Sequence, residues 1–242
     1  MFSKFRKEEF EFEGRNCTII YPESEANGRI LYKSEYLTAF PDFDIEMLKK
    51  GYHLIHLKNL TRWVKEDDIH RMARFVKHCA QKLKLNPKCV LEGLSLGGFQ
   101  ATLLAQMYPE LTSVLYIDAP VLNIISMAGL GACELIPSHW EEMVEAYGVN
   151  KSTIVNFRKS PIDNLPPLLE NSIPVIMLYG DVDDVVIYEE NGKVLADYYE
   201  ENGGNIKLIK KEGCGHHPHG LDNPEPVIKF IEECIQKEND SF

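Results

Sequence analysis

The chain has 242 residues, 44% of them hydrophobic, enough to bury a sizeable core, and α/β folds of this length commonly form one domain. Its 26 basic and 37 acidic side chains leave a formal charge of -11, which argues against nucleic acid and anionic membrane surfaces as partners. Residues 1–13 lack the apolar core of a signal peptide, and no run of about 18 apolar residues occurs. The cysteines (Cys17, Cys79, Cys89, Cys133, Cys214, Cys234) form no C-x-x-C pair, so a soluble cytoplasmic chain with reduced thiols is expected.

Strand and helix signals alternate for most of the length, predicting a mostly parallel central sheet with helices on both faces. Residues 10–21 alternate in polarity and predict a hairpin turning at Gly14-Arg15-Asn16. A loop follows over 22–28, then a strand over 30–33, a helix over 43–50 closed by Gly51, and a strand over 53–56. Ile69, Met72, Phe75, Val76 and Leu83 place a helix over 67–83. Residues 88–92 predict a strand, 97–108 a helix, and 113–117 a strand ending in Asp118-Ala119-Pro120. From 121 to 172 the alternation stops. This segment holds a bend at Gly129-Leu130-Gly131, a helix near Ser138 with Ser138 and Glu141 as a capping box, a short helical stretch over 153–157 and an extended return over 161–167. A strandless segment between two core strands predicts an inserted helical cap over the sheet edge, a common seat of specificity. Strands over 174–179 and 205–210 flank a helix over 189–201, and Asn223-Pro224-Glu225 opens a final helix to about Lys237, with 239–242 frayed.

Gly93-Leu94-Ser95-Leu96-Gly97 fits G-x-S-x-G. With Gly at about 7% of average sequence, these three letters arise by accident in a chain this long with a probability on the order of 0.1, so the predicted strand before and helix after them carry the weight. They make Ser95 a candidate nucleophile. A serine hydroxyl needs a base in hydrogen-bond reach and a third group to orient that base. Two later loops leave strand ends on the same sheet edge, Gly180-Asp181-Val182-Asp183-Asp184-Val185-Val186 and Gly213-Cys214-Gly215-His216-His217-Pro218-His219. Asp181, Asp183 and Asp184, together with Asp118, compete for the acid, and His216, His217 and His219 for the base. The histidines lack the i, i+4 helical spacing of paired metal ligands, and no Cys or Glu cluster supplies others, so neither metal nor cofactor is expected.

The elbow, the acid loop and the histidine loop together resemble the α/β-hydrolases over about residues 30–237. In similar hydrolases the acid lies three positions after the glycine and before paired valines, and the base follows Gly-x-Gly; the resemblance implies Asp183 and His216. It also implies an oxyanion hole from the backbone N–H of Leu96 and a second donor in the loop Ser34-Glu35-Tyr36, where Tyr36 is the first choice and Glu35 the alternative. Trp63 and Trp140 read as packing residues, with Trp140 placed to border the pocket. His139 reads as exposed at a helix start, and Cys214 as a small buried spacer.

Ala39-Phe40-Pro41-Asp42-Phe43-Asp44, Ser160-Pro161-Ile162-Asp163-Asn164 and Gly215-His216-His217-Pro218-His219-Gly220 resemble bacterial hydrolases akin to carbohydrate esterases and to the peptidase domain of prolyl oligopeptidases. Such peptidases usually carry a propeller domain, and none is expected in these residues. Relatives often place a basic residue after the nucleophile; Leu96 departs from that and argues against an acidic sugar substrate. The expectation is a serine esterase acting on a small or sugar-linked ester through an acyl-enzyme, with acyltransferase and peptidase as alternatives. A hydrolase-like module that only binds a small ligand is a further alternative, although such modules often lose a triad member and all three candidates are present here.

Overall fold

The computed structural model describes residues 2–240. The chain opens with a hairpin, β1 (Lys7–Phe12) and β2 (Arg15–Ile20). Phe12 pairs with Arg15, so the turn is Glu13-Gly14, one residue earlier than expected. Both central residues have positive φ, 47° and 73°, the conformation that a tight two-residue hairpin turn demands and that Gly14 adopts without a Cβ penalty.

Six further strands complete an eight-stranded sheet: β3 (Ile30–Lys33), β4 (His53–Leu57), β5 (Cys89–Leu94), β6 (Thr112–Asp118), β7 (Val175–Gly180) and β8 (Ile206–Lys211). Their order is β1-β2-β4-β3-β5-β6-β7-β8, antiparallel through β4 and parallel from there on. The helices are α1 (Asp42–Lys49), α2 (Glu66–Leu83), α3 (Leu96–Met107), α4 (Pro137–Tyr147), α5 (Pro166–Glu170), α6 (Gly192–Glu201) and α7 (Glu225–Asp240). Because side chains alternate across a strand, each central strand feeds two cores. Leu91, Leu115, Ile117 and Met177 face the core built with α2, α3 and α6, whereas Val90, Val114, Tyr116 and Ile176 face the core of α1 and α7. Near-continuous apolar strands are the sequence signature of this two-sided burial.

The segment between β6 and β7 contains no strand, as expected, but its details differ. The helix near Ser138 begins at Pro137, whose ring is tolerated in the first helical turn, and Ile136 makes no side-chain cap, so Ser138 and Glu141 form no capping box. The stretch expected to be extended folds into a helical turn, Pro161–Asp163, followed by α5. Ser160 explains the turn: its backbone N–H donates to Asp163 Oδ2 at 2.8 Å while its hydroxyl accepts from Ile124 N. The helix expected over 189–201 is broken at Asn191, whose buried Oδ1 accepts the N–H groups of Leu122 and Asn123 at 2.9 Å each. The last helix follows Asn223-Pro224 as expected and stays helical through Asp240; the remainder of the expected frayed end lies outside the described residues. Two side chains of α4 and its C-terminal turn reach back to the loop after β4, Glu142 to Arg62 and the Tyr147 hydroxyl to the Val64 carbonyl.

Candidate active site

Ser95 sits between β5 and α3 at φ 51° and ψ -118°, a conformation that L residues avoid and that costs on the order of 1–3 kcal/mol. Neighbouring backbone holds it there: Ser95 N donates to Asp118 O at 3.0 Å, and Ser95 O accepts from Val121 N at 3.0 Å and Gly98 N at 2.9 Å. The turn closes so tightly that a Cβ on Gly93 would fall 2.5 Å from Gly97 O, which explains a glycine there physically. The result is a hydroxyl presented at the mouth of the parallel sheet.

The expected loops converge on it. Asp183 is a carboxylate and only accepts, so Nδ1–H of His216 donates to Asp183 Oδ2 at 2.8 Å, leaving Nε2 to accept the Ser95 hydroxyl at 2.9 Å. Asp183 Oδ1 accepts the N–H groups of Val185 and Val186 at 2.9 Å each. Burial pushes its carboxyl up, but the bonds from His216, Val186 and Val185 outweigh it and hold the group below its ordinary value. The side chains of Asp183 and His216 are 3% and 8% exposed, so their interaction is little diluted by solvent.

Two rival acids are engaged elsewhere, and the third, Asp184, is exposed. Asp118 binds Lys211 Nζ at 2.9 and 3.0 Å and the Gly220 N–H, and its 3.7 Å approach to His219 Nδ1 is too long for a hydrogen bond. Asp181 accepts from Gly213 N. Asp118 therefore buttresses the histidine loop from behind, and Asp183 faces the base.

The acid and histidine loops touch directly at Gly180, where an added Cβ would lie 2.2 Å from Cys214 O and 2.6 Å from Gly215 O. Gly180→Ala is expected to push the two loops apart, lowering stability by about 1–3 kcal/mol through overpacking and kcat by a larger factor than KM. Thermal denaturation and p-nitrophenyl acetate turnover on the same preparation check both.

The loop after β3 abuts the elbow, as expected. Ser34 Oγ approaches Gly97 O at 2.8 Å and Glu92 O at 2.9 Å. Leu96 is the first residue of α3, where a backbone N–H has no acceptor within the helix. Tyr36 lines the cavity beside Ser95, whereas Glu35 turns to Gln100, whose Nε2 donates at 2.8 Å; burial raises the Glu35 carboxyl above its ordinary value.

The cavity over Ser95 measures about 320 Å³, and its walls include Phe40, Met127, Val185 and Val186. The wall residues that were not anticipated include Arg62 and His139. Arg62 is a bidentate partner of Glu142 (2.6 and 3.1 Å) and also donates to the Tyr36 hydroxyl at 3.2 Å, linking α4 to the loop beside the elbow. His139 is half-buried rather than exposed, while Trp140 packs against the core as expected and does not line the cavity. Successive helical positions point about 100° apart, so one of this pair faces the cavity and its neighbour does not. Only the orientation of α4 decides which, and no spacing in the sequence encodes that. Trp63 is buried as expected, edge-on to Phe99.

The prolyl oligopeptidase family model matches residues 56–238, most of the chain and every residue of the Ser95, Asp183 and His216 constellation. The chain belongs to the prolyl oligopeptidase family. This is a serine hydrolase family with the α/β-hydrolase fold, and solved structures share that fold at low identity. The acylaminoacyl peptidase of Pyrococcus horikoshii superposes with a TM-score of 0.69 at 10% identity, over 88% of this chain and 37% of its own. A puromycin-hydrolyzing peptidase of Mycobacterium tuberculosis gives 0.70 at 14% identity, over 94% of this chain and 38% of its own. The chain thus spans little more than a third of these two peptidases. MGS-MChE2, an α/β hydrolase from the metagenome of lagoon sediments of Mar Chica, Morocco, gives 0.59 at 19% identity over 96% of this chain and 99% of its own. Among curated proteins, no sequence matches the chain.

Proposed function

We propose that the protein hydrolyses a carboxylic ester with a small acyl group, on a small or sugar-linked alcohol, through an acyl-enzyme on Ser95. His216 takes the serine proton as Ser95 attacks the carbonyl and returns it to the leaving alcohol; it then activates water to release the acid. Asp183 holds the imidazole in the required tautomer and stabilises its cation. The Leu96 N–H and a donor from the Tyr36 loop receive the oxyanion, each worth a few kcal/mol of barrier.

The observation that carries the choice of ester is the cavity itself. It is small, mostly apolar, and among the described residues no carboxylate lines it. A peptide amino terminus entering such a space would need an anionic partner to replace its hydration. The cation on its wall, Arg62, is already matched by Glu142. Membership of the prolyl oligopeptidase family supports a second reading, hydrolysis of an amide bond by the same residues.

A paired substrate series separates the two. The kcat/KM for p-nitrophenyl acetate, butyrate and octanoate is measured against the matching p-nitroanilides. The esters are expected to react about 100-fold faster or more, with acetate or butyrate preferred over octanoate because one methylene is worth about 1–3 kcal/mol in a shaped apolar pocket. Anilide turnover equal to that of the ester replaces this reading with the peptidase.

A further inference from the structure

The histidine loop carries more imidazoles than acyl transfer uses. His216, His217 and His219 each offer a ring nitrogen within 4.8 Å of the others. Their ring centroids lie 4.9 Å apart pairwise, at interplanar angles of 63°, 83° and 87°. Three nitrogens on one tetrahedral zinc ion, each at about 2.0–2.1 Å, stand roughly 3.4 Å apart. The closure needed is a little over an ångström, and His217, exposed and making no hydrogen bond among the described residues, supplies it by side-chain rotation. Helical spacing was the sequence argument against a metal; the loop turns at Pro218 and gathers the rings another way.

What lies behind the rings strengthens the case. His216 gives its Nδ1–H to Asp183, and His219 turns Nδ1 toward Asp118 Oδ2 at 3.7 Å. A carboxylate that accepts the far N–H of a ligating histidine, as Asp183 does for His216, orients the imidazole on zinc and raises its basicity, while Asp118, beyond hydrogen-bond reach, sets a negative charge behind His219. In both residues the nitrogen on the opposite edge of the ring is Nε2. Phe40 covers the group from one side, stacked on His217 with centroids 5.6 Å apart and edge-on to His219.

We infer that His216, His217 and His219 form an inhibitory site for zinc, in which the ion takes the Nε2 lone pair of His216 that otherwise accepts the Ser95 proton. Zinc occupancy leaves Ser95 protonated and without a base, while the cavity supplies the fourth ligand position to water. The inhibitory half rests on the role proposed above for His216; binding of the ion does not.

Tag-free Ser95→Ala protein is titrated with Zn²⁺ by isothermal calorimetry, beside Ser95→Ala carrying His217→Ala. One ion per chain is expected, with affinity falling in the second protein by at least the roughly 10–100-fold that losing even an outer partner of a metal ligand costs. In the protein with Ser95 intact, fluorophosphonate labelling of Ser95 slows in step with zinc occupancy and recovers with EDTA. Absence of binding, binding unchanged by His217→Ala, or labelling unaffected at full occupancy overturns the inference. Failure of zinc-free protein to label counts instead against the hydrolase reading, and the calorimetry still decides the metal site.

Discussion

Ser95→Ala protein is expected to unfold at a temperature no lower than the parent, to form no acyl-enzyme with a fluorophosphonate, and to lose about 10⁴-fold or more in p-nitrophenyl acetate turnover. The magnitude follows from removing the nucleophile of a unit whose members act together, so that loss of one is close to loss of all. The stability expectation has a separate origin. Ser95 is held at φ 51° and ψ -118° by three backbone hydrogen bonds that an alanine retains, and the hydroxyl makes its bond to His216 in a partly open cavity. Intact-mass detection of the labelled serine reads the chemistry, and calorimetric melting reads the fold. A variant that retained turnover would remove Ser95 from the mechanism altogether.

Two buried aspartates provide the second large effect, because the structure gives them opposite duties. Asp183→Asn should keep its place against Val185 and Val186 yet lower kcat by about 10³–10⁴, since an amide stabilises neither the tautomer nor the imidazolium that Ser95 requires. Asp118→Asn should act mainly on stability. Asp118 is fully buried against Lys211, and removing one member of a buried pair costs about 3–5 kcal/mol because it strands the other charge.

The same substitution has a pH signature. Burial raises the Asp118 carboxyl, but contact with His219, the Lys211 ammonium and the Gly220 N–H more than offset it and hold it below its ordinary value. A carboxyl depressed in the folded state stabilises it fully above the unfolded value of about 3.9, and that contribution disappears as pH falls through the lower folded value. The stability gap between parent and Asp118→Asn should therefore be widest at neutral pH and close in acid. Urea unfolding at pH 7 and below pH 4, with turnover measured at pH 7 for both variants, checks the division of labour; a crippled Asp118→Asn beside an active Asp183→Asn would reverse the assignment of the acid.

Much of this architecture is legible in the chain. Apolar strand runs alternating with helical periodicity predicted the parallel sheet with two covered faces, since a strand buried on both sides has no polar face to display. The three loops were legible for the same reason: a parallel sheet collects its strand ends on one edge, so residues far apart in sequence meet there. Local chemistry misled where several residues compete for one turn. Pro137 took the first helical position from the expected cap at Ser138, and Asn191 broke a helix to serve Leu122 and Asn123 instead.

What the sequence by itself determined is the fold class and a short set of rivals for each chemical role, because periodicity and motif order are local properties. Tertiary structure decided among the rivals. Asp183 rather than Asp118 faces His216 only because Lys211, at the end of β8 two strands away, draws Asp118 aside. Arg62 and His139 reach the cavity wall only because α4 is anchored to the loop after β4 through Glu142. Such choices depend on distances between segments more than 70 residues apart, and no periodicity along the chain records them.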